Sequence, residues 1–144
     1  MYKDEALILG ENFQRLAGRA IPDDFFEESN DCGWFVPYLV NTAFACELFL
    51  KSLASDGKSK VHGHNWRELF EALSAEKKNS IWNHPYFKGD DEFIEKLEEG
   101  GKVFSDWRYC FEHVKRISVD IIFLDHLTEV VHDFARKEVS EFEN

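Results

Sequence analysis

A chain of 144 residues, 44% hydrophobic and 15% aromatic, can bury a core of its own, which excludes a disordered tail protein. Its formal net charge of −11 at neutral pH disfavours nonspecific attraction to nucleic acid or to an anionic membrane. No stretch approaches the roughly 20 apolar residues of a membrane span.

The opening run MYKDEALILGEN has charges inside its apolar stretch and no cleavage-like site, so it does not read as a signal peptide. The three cysteines, Cys32, Cys46 and Cys110, form no CxxC pair. They suit a reducing compartment, and a cytoplasmic protein is expected. No linker or internal repeat divides the chain, so residues 1–144 are expected to form a single domain.

Apolar residues recur at helical spacing, and nothing alternates over a strand length. Residues 3–20 carry Leu7, Leu9, Phe13, Leu16 and Ala17 among polar positions, which predicts a first helix. Pro22, Ser29, Asn30, Asp31 and Gly33 make 21–33 a loop. Residues 34–55 are the most apolar segment, with Pro37 suited to a first turn. This helix is apolar nearly all round, so it belongs at the centre of a bundle, and Asp56-Gly57 should stop it.

A polar loop, DGKSKVHGH, then leads into a third helix over 65–78 with Trp66, Leu69, Phe70 and Leu73 on one stripe. Residues 79–90 read as irregular, broken by Pro85 and Gly89. Asp90 and Asp91 are candidate caps for a fourth helix, DDEFIEKLEEGGKVFSDWRYCFEHV, which Gly100-Gly101 should weaken or break. A fifth helix spans 118–139, capped by Ser118, with Ile121, Leu124, Leu127, Val131 and Phe134 facing inward. The expectation is an all-α, up-and-down bundle of four long helices plus a shorter one.

Three motifs in this order resemble the HEPN domain family. Ala43-x-x-Cys46-Glu47-Leu48-x-Leu50-Lys51-x-Leu53 resembles the AxxAELxLKxLL helix of that family. Gly63-His64-Asn65 then precedes a helix with a Leu-Phe pair, and Asp106-Trp107-Arg108-Tyr109 supplies an aromatic-flanked Arg-Tyr. The resemblance covers about residues 35–135. It implies a helical bundle that commonly dimerises, and in many members a metal-independent ribonuclease of a toxin–antitoxin or defence system. It also implies RNA or a nucleotide, or an antitoxin-like protein, as partner, and no cofactor. The family's Arg-then-His hallmark falls on Arg108 and His113, with four residues between.

In such chemistry the 2′-OH of RNA is the nucleophile, His113 exchanges its proton, and Arg108 stabilises charge growing on the phosphate. Glu47 would anchor Arg108 across the bundle. Residues five apart differ by about 140° around an ideal helix. The two side chains would therefore meet only through a distortion there or across two subunits.

Each candidate has a plainer reading. Arg108 would pair with Glu112, and His113 would be filler. Glu47 and Lys51, four apart in the favourable order, would form a solvent-exposed helix pair. His62 and His64 flank Gly63 and suggest a metal, but no third ligand is near, and His64 suits the entry loop of a helix. Glu129-x-x-His132 has one-face spacing but no second such pair for a di-metal bundle. Trp66, Phe70, Trp107, Tyr109 and Phe111 either stack on bases or fill the core, and Lys58, Lys60, Arg67, Lys77 and Lys78 form only a modest basic strip. The leading reading is a metal-independent endoribonuclease. The alternatives are an inactive HEPN-like module that binds a protein or nucleotide, and a helical protein with no site.

Overall fold

The computed structural model describes residues 2–23, 34–55, 63–110 and 121–143, with backbone only at 103–110 and 142–143. Every regular element among them is an α-helix: α1 (Lys3–Ala20), α2 (Phe35–Ala54), α3 (Trp66–Glu71), α4 (Ala75–Trp82), α5 (Phe93–Cys110) and α6 (Ile121–Glu143). Four are long and two are short, where the sequence led us to expect a single short one.

α2 is the central element, packing against α1, α3, α5 and α6. Its apolar circumference makes this the stable outcome, because a helix with no polar face must be covered on all sides. Phe49 and Leu50 are fully buried there, each worth about 1.5–3 kcal/mol relative to exposure. α1 approaches α2 closely at Gly10, where a Cβ would lie 2.6 Å from the Phe49 ring. Phe13 stacks on Phe44 at 4.9 Å beside it. Leu7 and Ala17 are buried as the spacing predicts, but Leu9 and Leu16 face outward.

The predicted third helix is two helices. α3 stops at Glu71, and Ser74 caps α4 by accepting from the Lys77 N–H at 3.2 Å. A serine hydroxyl competes with the helical ladder and favours a start over an interior position. The break also turns Leu73 into the core. α4 continues to Trp82, so residues 79–82 are helical rather than irregular. The turns that follow place Gly89 at φ +83°, in the left-handed region glycine favours.

α5 runs unbroken through Gly100-Gly101, against expectation. A Cβ on Gly100 would sit 2.6 Å from Trp66 Cζ3, and one on Gly101 would sit 3.2 Å from Trp66 Cγ. The glycines form a notch for the indole, so lost helix propensity is exchanged for burial of the largest side chain in the core. Asp90 starts this segment, accepting from the Glu92 N–H at 3.0 Å and holding Lys96 at 2.8 Å. Phe93 meets Phe70, Trp82, Phe87 and Phe123 at centroid distances of 5.2–5.5 Å.

On α6, Leu124, Leu127 and Val131 are buried as expected, while Ile121 and Phe134 are half-buried. Asp56-Gly57 and Ser118, the predicted stop and cap, lie outside the described residues. No described helix is long and apolar enough to cross a membrane.

Candidate functional site

Glu47 lies deep in α2, where a lone carboxylate would be costly to desolvate. Two partners compensate. Lys51, one turn on, places Nζ 3.4 Å from Glu47 Oε2, and His64 places Nδ1 3.0 Å from the same oxygen. The Glu47 and Lys51 side chains are 8% and 9% exposed, so the solvent-exposed pair considered above is instead a buried one. The His64 side chain is 77% exposed. A buried ion pair thus grips one nitrogen of an imidazole whose other edge faces water.

The local chain explains how His64 is held. Gly63 takes φ +119°, which L side chains rarely adopt. Asn65 caps α3 by accepting from the Glu68 N–H at 3.2 Å. His64 sits between a turn that needs glycine and a cap that fixes the backbone. A carboxylate only accepts hydrogen bonds, so the imidazole tautomer that fits this contact has its proton on Nδ1 and turns Nε2 outward.

A cleft of about 470 Å³ opens here, lined by Glu47, His64, Asn65, Trp66, Glu98, Gly101 and Lys102. Its floor is the Trp66 ring seated on the Gly100-Gly101 notch. At its edge Arg67 bridges Glu71 at 3.1 Å and Glu98 at 2.6 Å. Those two carboxylates hold the Arg67 guanidinium above its ordinary pKa.

Of the predicted catalytic residues, Glu47 is in this cleft. Arg108 belongs to α5, the helix that supplies Gly101 and Lys102, but only its backbone is described. His113 lies outside the described residues, as does His62. The residue sequence reasoning passed over is His64, which it assigned to entry-loop structure. The available signal was a glutamate inside an apolar helix, which needs a partner, followed by an imidazole in the next loop.

The other candidates resolve differently. His132, read with Glu129, points its Nε2 at Glu11 on α1 at 2.9 Å and lays its ring on Phe49 at 4.7 Å. Glu129 is exposed and lines a separate cleft near Tyr38 and Asp125. Burial, and then a 2.5 Å hydrogen bond to Asp125, push the Tyr38 phenol up to about 12, so it remains a donor. No group of three or more His, Cys, Asp or Glu suited to a metal occurs among the described residues.

Trp66 and Phe70 are core residues rather than exposed stacking platforms. In the basic strip, Arg67 is engaged by two glutamates and Lys78 reaches the Glu71 carbonyl at 3.4 Å. Lys77 is held by Glu138 at 2.7 Å and by the Leu53 carbonyl at 2.8 Å. Lys58 and Lys60 lie outside the described residues. Cys46 is buried, and that burial raises its thiol pKa far above the ordinary range, so it is an inert core residue.

No protein-family model, no curated protein and no solved structure matches the chain.

Proposed function

We propose that this protein is a metal-independent endoribonuclease of the HEPN type, working at the Glu47–His64 cleft. The observation that supports the reading is the exposed His64 imidazole, fixed through Nδ1 by a buried carboxylate. A general base needs an orienting partner and access to substrate, and what supports the reading is that His64 has a carboxylate contact on one edge and solvent on the other.

In this reading His64 Nε2 takes the proton of an RNA 2′-OH. The freed oxygen attacks the adjacent phosphorus and the 5′-oxygen departs, leaving a 2′,3′-cyclic phosphate. Arg108 stabilises the phosphate charge and His113 protonates the leaving oxygen. Both described contacts to Glu47 fall on Oε2, so Oε1 is the atom that would receive Arg108. Arg108 follows Gly101 by seven residues, about two turns along α5.

The second reading, an inactive module that binds a protein, is favoured by a different observation. The chain carries a net charge of −11, and its described basic strip is engaged internally. A basic, antitoxin-like protein would suit that surface better than RNA.

The deciding experiment incubates structured and single-stranded RNA with the protein in excess EDTA. Cleavage to 2′,3′-cyclic phosphate ends is expected, falling about 100-fold or more in His64→Ala and in Arg108→Ala. No metal-free cleavage by the native chain, or equal cleavage by His64→Ala, would sink the proposal.

A further inference from the structure

We propose that the cleft between α1, α2 and α6 is a binding site for a linear alkyl ammonium group, of the kind carried by an aliphatic diamine or a lysine side chain. This cleft shares no residue with the Glu47–His64 cleft, and the inference does not rest on the ribonuclease reading.

Charge is the first observation. Five carboxylates among the described residues are buried or half-buried. Glu11, Glu47, Asp90 and Glu138 each hold a lysine or an arginine of this chain. Among the described residues, Asp125 holds only the Tyr38 hydroxyl, which donates to its Oδ1 at 2.5 Å. Glu129, one turn further along α6, adds a second negative charge on the same face. Like charges at that spacing repel, and no described Lys, Arg or His lines the cleft to offset them. A sheltered carboxylate is costly without a cation, so a ligand that brings one is favoured.

Rigidity is the second. The Tyr38 hydroxyl has one proton and gives it to Asp125. Thr42, only 5% exposed, hydrogen-bonds the same phenol oxygen and is therefore the donor there. The relay from Thr42 through Tyr38 fixes Asp125 Oδ1 from α2 and leaves Oδ2 to accept from a ligand.

Shape and lining are the third. The cleft holds about 360 Å³, within the range of small-molecule sites. Its α1 wall offers the Gln14 amide and the apolar Ala17 and Ile21, and at Gly18 nothing lies within 4 Å of where a Cβ would stand. An ammonium has three N–H donors and no acceptor, which suits Asp125, Glu129 and the Gln14 carbonyl oxygen. The apolar part of the wall suits a methylene stem. A calcium ion takes about six or more oxygen ligands, more than this lining supplies, so the mixed wall selects an alkyl ammonium over a bare divalent cation.

Calorimetric titration of the full chain tests this with four probes: 1,4-diaminobutane, an N-acetyl-lysine methylamide, 1-butylamine and 1-butanol. The amines should bind with a dissociation constant on the order of 100 μM, and butanol at least about tenfold more weakly. Asp125→Asn still accepts from Tyr38 and should weaken amine binding about tenfold or more. Glu129→Gln, at an exposed position that folding does not depend on, should weaken it about threefold or more. Glu95→Gln removes the same charge from the exposed face of α5 and should leave binding unchanged. Either order of the diamine and the capped lysine supports the site: a tighter diamine assigns a free amine as ligand, and a tighter lysine assigns a partner's side chain.

No binding of any amine at about 10 mM overturns the proposal. So does butylamine binding no tighter than butanol, since the carboxylates would then read no charge. Equal effects of Glu129→Gln and Glu95→Gln overturn it as well, because the attraction would belong to the net charge of the chain and not to this cleft.

Discussion

Two glutamates in this bundle hold the same kinds of partner and put them to opposite use. Glu11, on α1, takes His132 Nε2 at 2.9 Å and the Arg136 guanidinium, both from α6. Glu47, on α2, takes Lys51 from its own helix and His64 from the loop before α3. At Glu11 the carboxylate and the imidazole, which is laid on Phe49, are both sheltered, and the cation is half in solvent. At Glu47 the carboxylate and cation are sheltered, and the imidazole stands in water. The first arrangement ties two helices together, and the second turns an imidazole toward solvent. What separates a staple from a candidate site is which member of the trio reaches solvent, and residue identity alone does not give that.

The comparison breaks most visibly by deleting the carboxylates. Glu47→Ala should cost about 3 kcal/mol or more, because Lys51 would stay buried with its charge unpaired. The double variant Glu47→Ala/Lys51→Met should recover much of that loss. Glu11→Ala should cost only about 1 kcal/mol, since Arg136 can turn to water. Urea unfolding of the three variants measures the contrast. Equal losses at the two sites would mean that the Glu47 pair is hydrated.

The floor of the cleft gives the next effect. Gly100→Ala gains up to about 1 kcal/mol of helix propensity but sets a methyl 2.6 Å from a buried, rigid indole. Overpacking of that kind costs about 1–3 kcal/mol, so net destabilisation is expected. Gly18→Ala on α1, with nothing within 4 Å of its added carbon, should instead stabilise the protein. Thermal melts of the pair should move in opposite directions.

Helix positions were largely legible in the sequence because apolar spacing is a local signal. α1 and α2 fall where the periodicity puts them. What failed was the reading of small residues. Ser74 lay inside an apolar stripe, and Gly100-Gly101 inside a charged helix, so local propensity pointed the wrong way in both. The serine became a start because a cap and a turn for Leu73 suited the core, and the glycines became a notch because Trp66 arrives from 34 residues upstream. The site was half legible. Glu47 stood out as a charge among apolar residues, but the Nδ1 contact of His64 depends on the turn at Gly63 and the cap at Asn65 acting together. That is geometry across a loop, which spacing does not encode.

The pH dependence of the Glu11 staple follows from its carboxyl. Burial by itself would raise that group, but the hydrogen bonds from His132 and Arg136 outweigh it and hold the carboxyl below its ordinary 4.5. A carboxyl depressed on folding stabilises the fold above its unfolded value and loses that contribution as pH falls through the folded one. Glu11→Gln should therefore be about 1 kcal/mol less stable than the native chain at neutral pH, with the gap closing below about pH 4. A gap that stays constant down to acid pH would mean that packing, not charge, is what Glu11 contributes.

The smallest stability effect should sit at the site itself. His64 contacts Glu47 from solvent, so His64→Ala removes little buried surface and leaves the Glu47–Lys51 pair intact. A change within about 0.5 kcal/mol is expected, against about 1–2 kcal/mol for His132→Ala, whose ring covers Phe49. The two histidines then separate cleanly. Losing His132 should loosen the α1–α6 contact and lower cleavage only as far as folded protein is lost. Losing His64 should leave the melt where it was and abolish proton transfer. An inert His64→Ala in both measurements would make Glu47 a second staple and would sink the proposed role of this cleft in cleavage.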